Sequence, residues 1–275
     1  AGREMAATAA GGEPKRDIAV LAAGVLGWLA VRHGDDVSMI SGGPGRIHAT
    51  RARNAEAHLE HVLQETIALS QPDSPPSDLP GLLRHVSRNV RGRKVLLIIA
   101  DDGVEPREVE DLLRSLRLRH EVLWVDVADL DPLGVAEDTL VRDVAADHTL
   151  PELLATDRLL AEEFGRSETT RRADVETMLR RTDVSSARAG HTDEVVAALL
   201  HDTAEDQGGE ETAKGEEKPP WHDRKRRYLA SLGEELVKAY ESRADDHPGV
   251  AGLARELRAG YAALTALVDE PAAPR

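Results

Sequence analysis

The chain has 275 residues, no cysteine and a formal net charge of −15, with 50 acidic against 35 basic side chains. Disulfides, thiolate metal sites and thiol catalysis are excluded, and so is nonspecific nucleic-acid binding as a main task, because phosphate binding depends on a basic surface. Hydrophobic residues reach 41% but aromatics only 3%, so a core must be built from Leu, Val and Ala.

Residues 1–13 are small and polar and are expected to form a loop. Pro14–His33 reads as a helix, with Pro in the first turn and Gly34 as its stop. The middle of that helix, Ile18–Leu29, is apolar nearly all round, and its small residues suit close packing on a sheet. Ile18–Val31 is the longest apolar run and is too short to span a bilayer. With no secretory signal, a cytoplasmic location without a membrane partner is the expectation. Asp36–Ser41 reads as a short strand ended by Gly42 and Gly43, and Arg46–Arg51 as a short edge strand. Asn54–Leu69 is amphipathic, with Leu59, Val62, Leu63 and Ile67 on one face. Gln71–Ser77 is a Pro/Ser loop before a second short helix, Leu79–Asn89.

Lys94–Ala100 is a continuous run of Leu and β-branched residues, as expected of a parallel strand covered on both faces. Asp101-Asp102-Gly103 ends it, Pro106–Leu116 is helical, and Glu121–Asp126 is the next strand. Leu153–Arg181 reads mostly as helix and Asp193–Glu205 as another. Strand and helix alternate, which implies an α/β fold with a doubly wound, mostly parallel sheet. Composition changes after Gln207: residues 206–218 read as a charged, Gly-rich linker. Residues 219–275 form a small all-α appendage, with helices over His222–Glu241 and Val250–Val268.

Two constellations carry chemistry. In open α/β sheets ligands bind outside the carboxyl ends of the strands, and Asp101 and Asp102 sit at such an end. Ser77 and Asp78 precede the helix that feeds the same strand. Hydroxyl and carboxylate oxygens there suit Mg²⁺ or another hard cation; the simpler alternative is that Asp101 caps a turn and Ser77 or Asp78 caps a helix. The second constellation is His201-Asp202, followed one turn later by Glu205 and Asp206. Imidazole and carboxylate side by side are two ready ligands for a divalent metal such as Mn²⁺ or Mg²⁺, and the flanking acids are candidates for taking a proton from metal-bound water. The alternative there is a solvated helix end. His58 and His61, three apart on one helix, are a lesser metal candidate and are more simply surface residues.

Residues 14–205 resemble the von Willebrand factor A-like proteins of bacteria encoded beside MoxR-type AAA+ ATPases. Lys15–Ala19, Leu29–Val37, Glu56–Glu60 and Arg93–Asp101 carry the likeness. The resemblance implies a binding or scaffolding role with an AAA+ ATPase or its client as protein partner, and no catalysis. It also implies a metal-ion-dependent adhesion site, with Ser77 at a position where the family often has a threonine ligand and Asp101 at the late aspartate. The family's Asp-x-Ser-x-Ser segment and the first strand that bears it are not found, and the expected place of that strand is between Asp36–Ser41 and Lys94–Ala100.

Residues 195–232 resemble a different family, the HD-domain phosphohydrolases related to guanosine tetraphosphate hydrolases. Ala197–Gly209 and Lys218–Leu229 carry this likeness. It implies His201 and Asp202 as metal ligands, Glu205 and Asp206 as the catalytic acidic pair, and a nucleotide or guanosine polyphosphate as substrate. The family's earlier histidine and late aspartate are not found. The expectation is therefore a von Willebrand factor A-like domain over 1–205, a linker over 206–218, and a helical segment over 219–275 resembling part of an HD domain. An incomplete metal-dependent phosphohydrolase is the alternative function. A third reading is a fused or truncated product, because one helix serves both patterns.

Overall fold

The computed structural model describes residues 2–135, 142–144, 148–149, 157–195 and 199. The chain divides into two units, Ala1–Thr192 and Asp193–Arg275. Of the second unit, only Asp193–Val195 and Leu199 are described, all four helical.

The first unit is mixed α/β. A 3-10 turn over Arg3–Ala6 precedes α1 (Lys15–Arg32). β1 (Ile40–Gly43) and β2 (Arg46–Ala49) form an antiparallel hairpin, followed by α2 (Glu56–Ala68) and α3 (Leu79–Asn89). Then come β3 (Val95–Asp101), α4 (Pro106–Arg117) and β4 (Glu121–Val127). A two-residue antiparallel ladder joins β5 (Arg142–Asp143) and β6 (His148–Thr149). α5 (Arg158–Arg181) and β7 (Ser185–Ala189) complete the described elements of this unit. The main sheet has three strands in the order β3-β4-β7, and both pairings are parallel.

Side-chain alternation explains how β4 is covered on both faces. Val122 and Trp124 belong to the larger core, together with Leu83 of α3, Val109, Leu113 and Leu116 of α4, and Val175, Met178 and Leu179 of α5. Val125 and Val127, of the opposite parity, are also buried, and α1 packs on the same strand. This is why α1 is apolar nearly all round: it lies against β4 and against α2 as well. A Cβ at Gly27 would stand 2.5 Å from Leu59 Cδ1, so a larger residue there would require the Leu59 side chain to move.

The ends of the helices follow local chemistry. Asp78 caps α3 by accepting from the Gly81 N–H at 2.8 Å, and Pro80 follows in the first turn. Asp157 caps α5 by accepting from Leu159 and Leu160.

Three details differ from the expectation. The strand expected over Asp36–Ser41 is displaced to Ile40–Gly43 and pairs with β2 in a separate two-stranded sheet. Asp36 to Met39 carry only one isolated bridge, Val37 to Arg53. The expected loop at the N-terminus instead crosses the carboxyl end of the main sheet, where the N–H groups of Ala10 and Gly11 donate to the carbonyls of Ala128 and Gly190 at 2.9 and 2.8 Å. A Cβ at Gly11 would lie 2.8 Å from the Gly190 oxygen, so only glycine permits that crossing. β7 was not anticipated at all; its sequence Ser-Ser-Ala-Arg-Ala has no large apolar residue.

Candidate functional site

The carboxyl end of the parallel sheet gathers Lys15, Arg188 and four aspartates. β3 ends on Asp101, Asp126 stands one residue before the end of β4, and Arg188 one before the end of β7. Asp126 and Arg188 are register partners, as are Asp101 and Val127. Alternation therefore sends the groups to different faces. Asp101 shares the parity of Val127 and the α1 side, whereas Asp126 shares the parity of Trp124 and the α4–α5 side.

On the α1 side stands Lys15, the first residue of α1, only 2% exposed. Its ammonium donates to Asp101 Oδ2 at 3.2 Å and contacts Asp129 Oδ1. Burial alone would pull the lysine down, but the two carboxylates outweigh it and hold the pKa above the ordinary lysine value. Lys15 is thus held as a cation. Asp129 is raised, first by burial, with Lys15 opposing.

On the other side Arg188 makes a forked pair with Asp102, Nη1 to Oδ1 at 2.6 Å and Nη2 to Oδ2 at 2.8 Å, and its Nη1 also contacts Asp126. Asp102 Oδ2 accepts from the Asp129 N–H at 3.0 Å as well. Burial pushes Asp102 up, yet these hydrogen bonds and the charge of Arg188 carry it below the ordinary carboxylate value. Asp126 goes the other way: burial raises it to about 6, the nearby Asp102 and Asp101 add to the rise, and Arg188 only partly offsets it. Arg188 is pushed above its ordinary value despite burial, because Asp102 and Asp126 favour its charged form.

The residues anticipated from sequence are placed as follows. Asp101 is at the strand end as expected, paired with Lys15 and also closing a turn on the Gly103 N–H at 3.2 Å. Ser77 is bonded elsewhere: its N–H and Oγ both donate to the Glu4 carboxylate at 3.2 Å. His201, Asp202, Glu205 and Asp206 lie outside the described residues, as do the linker and appendage. His58 donates through Nε2 to the Val37 carbonyl at 3.0 Å, and His61 lies 3.6 Å from Glu65. Among the described residues no group of three or more His, Asp or Glu is arranged to hold a metal ion. Ser77 and Asp101 therefore do not fit the shared cation that the resemblance implies: one carboxylate faces a resident ammonium, and the hydroxyl is engaged by Glu4.

Lys15, Asp126, Asp129 and Arg188 were not anticipated. One sequence signal was available. A helix N-terminus favours acids, so a Lys-Arg pair opening an apolar helix needs a carboxylate partner. The other was Asp126-Val127-Ala128-Asp129, which repeats at the next strand end the acidic pattern of Asp101-Asp102.

The unit is thus a mixed α/β domain with a three-stranded parallel sheet whose carboxyl end is a closed network of ion pairs. A family model described as "Protein of unknown function DUF58" matches residues 4–133. Uncharacterized proteins of Mycobacterium bovis and of two strains of Mycobacterium tuberculosis are each 30% identical to the chain over 173 residues, 60% of this chain and 52% of theirs. The chain spans about half the length of these curated relatives. No solved structure matches. No helix among the described residues is long and apolar enough to cross a membrane.

Proposed function

We propose that the first unit is a noncatalytic protein-binding module of von Willebrand factor A-like, doubly wound architecture, accessory to a MoxR-type AAA+ ATPase. The observation that carries this is the state of the sheet's carboxyl end. Ligands of open α/β sheets bind there, and here the charged groups are matched to one another: Lys15 to Asp101 and Asp129, Arg188 to Asp102 and Asp126. Such an edge is polar, with its charges paired, and suits docking against a protein surface. Parallel strands covered by helices on both faces support the doubly wound reading, and the family whose model matches residues 4–133 is associated with MoxR-type ATPases.

The test is size-exclusion chromatography with light scattering on the full chain mixed with a MoxR-type ATPase, with and without ATP. A complex is expected, weakened by Arg188→Glu. No complex in either nucleotide state would count against the ATPase as partner. Hydrolysis of a guanosine polyphosphate by the chain alone with Mn²⁺, lost in His201→Ala, would instead favour the phosphohydrolase alternative.

A further inference from the structure

We infer that Lys15 is a built-in cation at the carboxyl end of the sheet: its ammonium stands where a divalent metal would otherwise bridge the Asp101 and Asp129 carboxylates, so this edge works without a metal. The inference extends the binding-module reading to its cation requirement, but it stands on geometry that involves no partner.

Three observations carry it. First, the ammonium is buried and faces two carboxylates, Asp101 at the end of β3 at 3.2 Å and Asp129, two residues past the end of the adjacent β4, in contact. An ammonium offers three donors and no acceptor, and both acids face it. A hard cation needs six or more oxygens at about 2.0–2.6 Å, and it would have to approach through a like charge already in place. Second, the lysine is held there from both sides. Its backbone N–H donates to the Ala7 carbonyl at 2.9 Å, so the N-terminal crossing segment anchors the residue while the acids anchor its tip. Third, its position runs against helix electrostatics. The first turn of a helix disfavours a cation, and a desolvated ammonium without counter-charge is costlier still. Asp101 and Asp129 offset both costs, which accounts for a lysine at that point of an otherwise apolar helix.

The same geometry separates this lysine from a nucleophilic one. Amine chemistry needs a lysine held down toward neutrality by burial or by a neighbouring cation. Two carboxylates do the reverse, and Lys15 stays protonated.

The proposal is tested on the full chain, stripped with EDTA and then titrated with Mn²⁺ while the lysine side-chain NH₃⁺ resonances are followed by NMR. A protected Lys15 NH₃⁺ signal is expected that shifts in Asp129→Asn and is not broadened by Mn²⁺. By calorimetry, any Mn²⁺ binding elsewhere in the chain should be unchanged in Asp101→Asn. In Lys15→Met the two freed carboxylates should gain a Mn²⁺ response that is lost in Lys15→Met/Asp129→Asn. Paramagnetic broadening of the Lys15 signal in the wild-type chain that disappears in Asp101→Asn would overturn the proposal, and so would wild-type Mn²⁺ binding lost in Asp101→Asn. Both readouts on the wild-type chain hold even if Lys15→Met fails to fold, and neither depends on whether an ATPase binds.

Discussion

Asp126 and His120 make opposite demands on acid, and the signs can be worked out for each. Asp126 rises from 3.8 unfolded to about 6 folded, so the native form holds its proton more tightly. Its contribution to stability is present below pH 3.8 and is lost as pH rises through about 6. The span corresponds to about 3 kcal/mol. His120 is 1% exposed, and its ring nitrogens have no hydrogen-bond partner among the described residues. Burial, with Arg119 and Lys94 nearby, lowers its pKa below 6.5, so its contribution is lost as pH falls below 6.5. The two trends overlap and partly cancel in the wild-type chain. Asp126→Asn should separate them: between pH 7 and pH 4, urea unfolding should show the wild type gaining stability relative to the variant as pH drops. A difference that stays flat across that range would mean that burial does not raise Asp126, its charge being fully offset where it stands.

At the scale of elements, the main sheet depends on α4 more than on any exposed apolar residue. Leu113 and Leu116 are fully buried in the core that also holds Trp124, whereas Leu118, just past the helix end, is 85% exposed. Leu113→Ala should cost about 2–5 kcal/mol, the range for a cavity at a packed site, and Leu118→Ala less than about 0.5 kcal/mol. Chemical denaturation of the two variants checks this, and equal losses would mean the core does not close on α4. Elements of this kind were legible in the sequence because periodicity reports burial. α3 and α4 begin where the capping and proline signals put them, and β3 and β4 are where the apolar runs are. β7 was illegible because it is short and polar: Ser185 to Arg188 are all only half-buried, and it is specified by register against β4 rather than by its own residues. The site was half legible for a related reason. The strand-end rule finds Asp101 and Asp102, but the partner of Asp101 lies 86 residues away, and so does that of Asp102. Ligand spacing along the chain carries no information about such pairs; the lysine at a helix N-terminus and the acidic pattern Asp126–Asp129 are the signals that bear on one of them.

At the scale of the whole molecule, the first unit contains the hydrophobic cluster around Trp124 and both ion networks. Its last residue, Thr192, is tied back to the beginning: Thr192 Oγ1 donates to Glu13 Oε1 at 3.0 Å, and the neighbouring His191 Nε2 lies 2.5 Å from the same oxygen. Gly190 accepts from Gly11 in the same place. A chain cut after Thr192 therefore keeps the contacts that fasten the N-terminal crossing over the sheet, and with them the position of Lys15. Fragment 1–192 should consequently unfold in one cooperative transition, and Asp126→Asn should give the same pH-dependent difference in the fragment as in the full chain. Circular dichroism melts and backbone NMR spectra of the two lengths are the measurement. A fragment with dispersed spectra and an unchanged Asp126 effect would locate the fold and its charged edge wholly within residues 1–192. One with collapsed near-ultraviolet signal would show that residues 193–275 are required to hold the sheet, and would move the boundary of the binding module beyond Thr192.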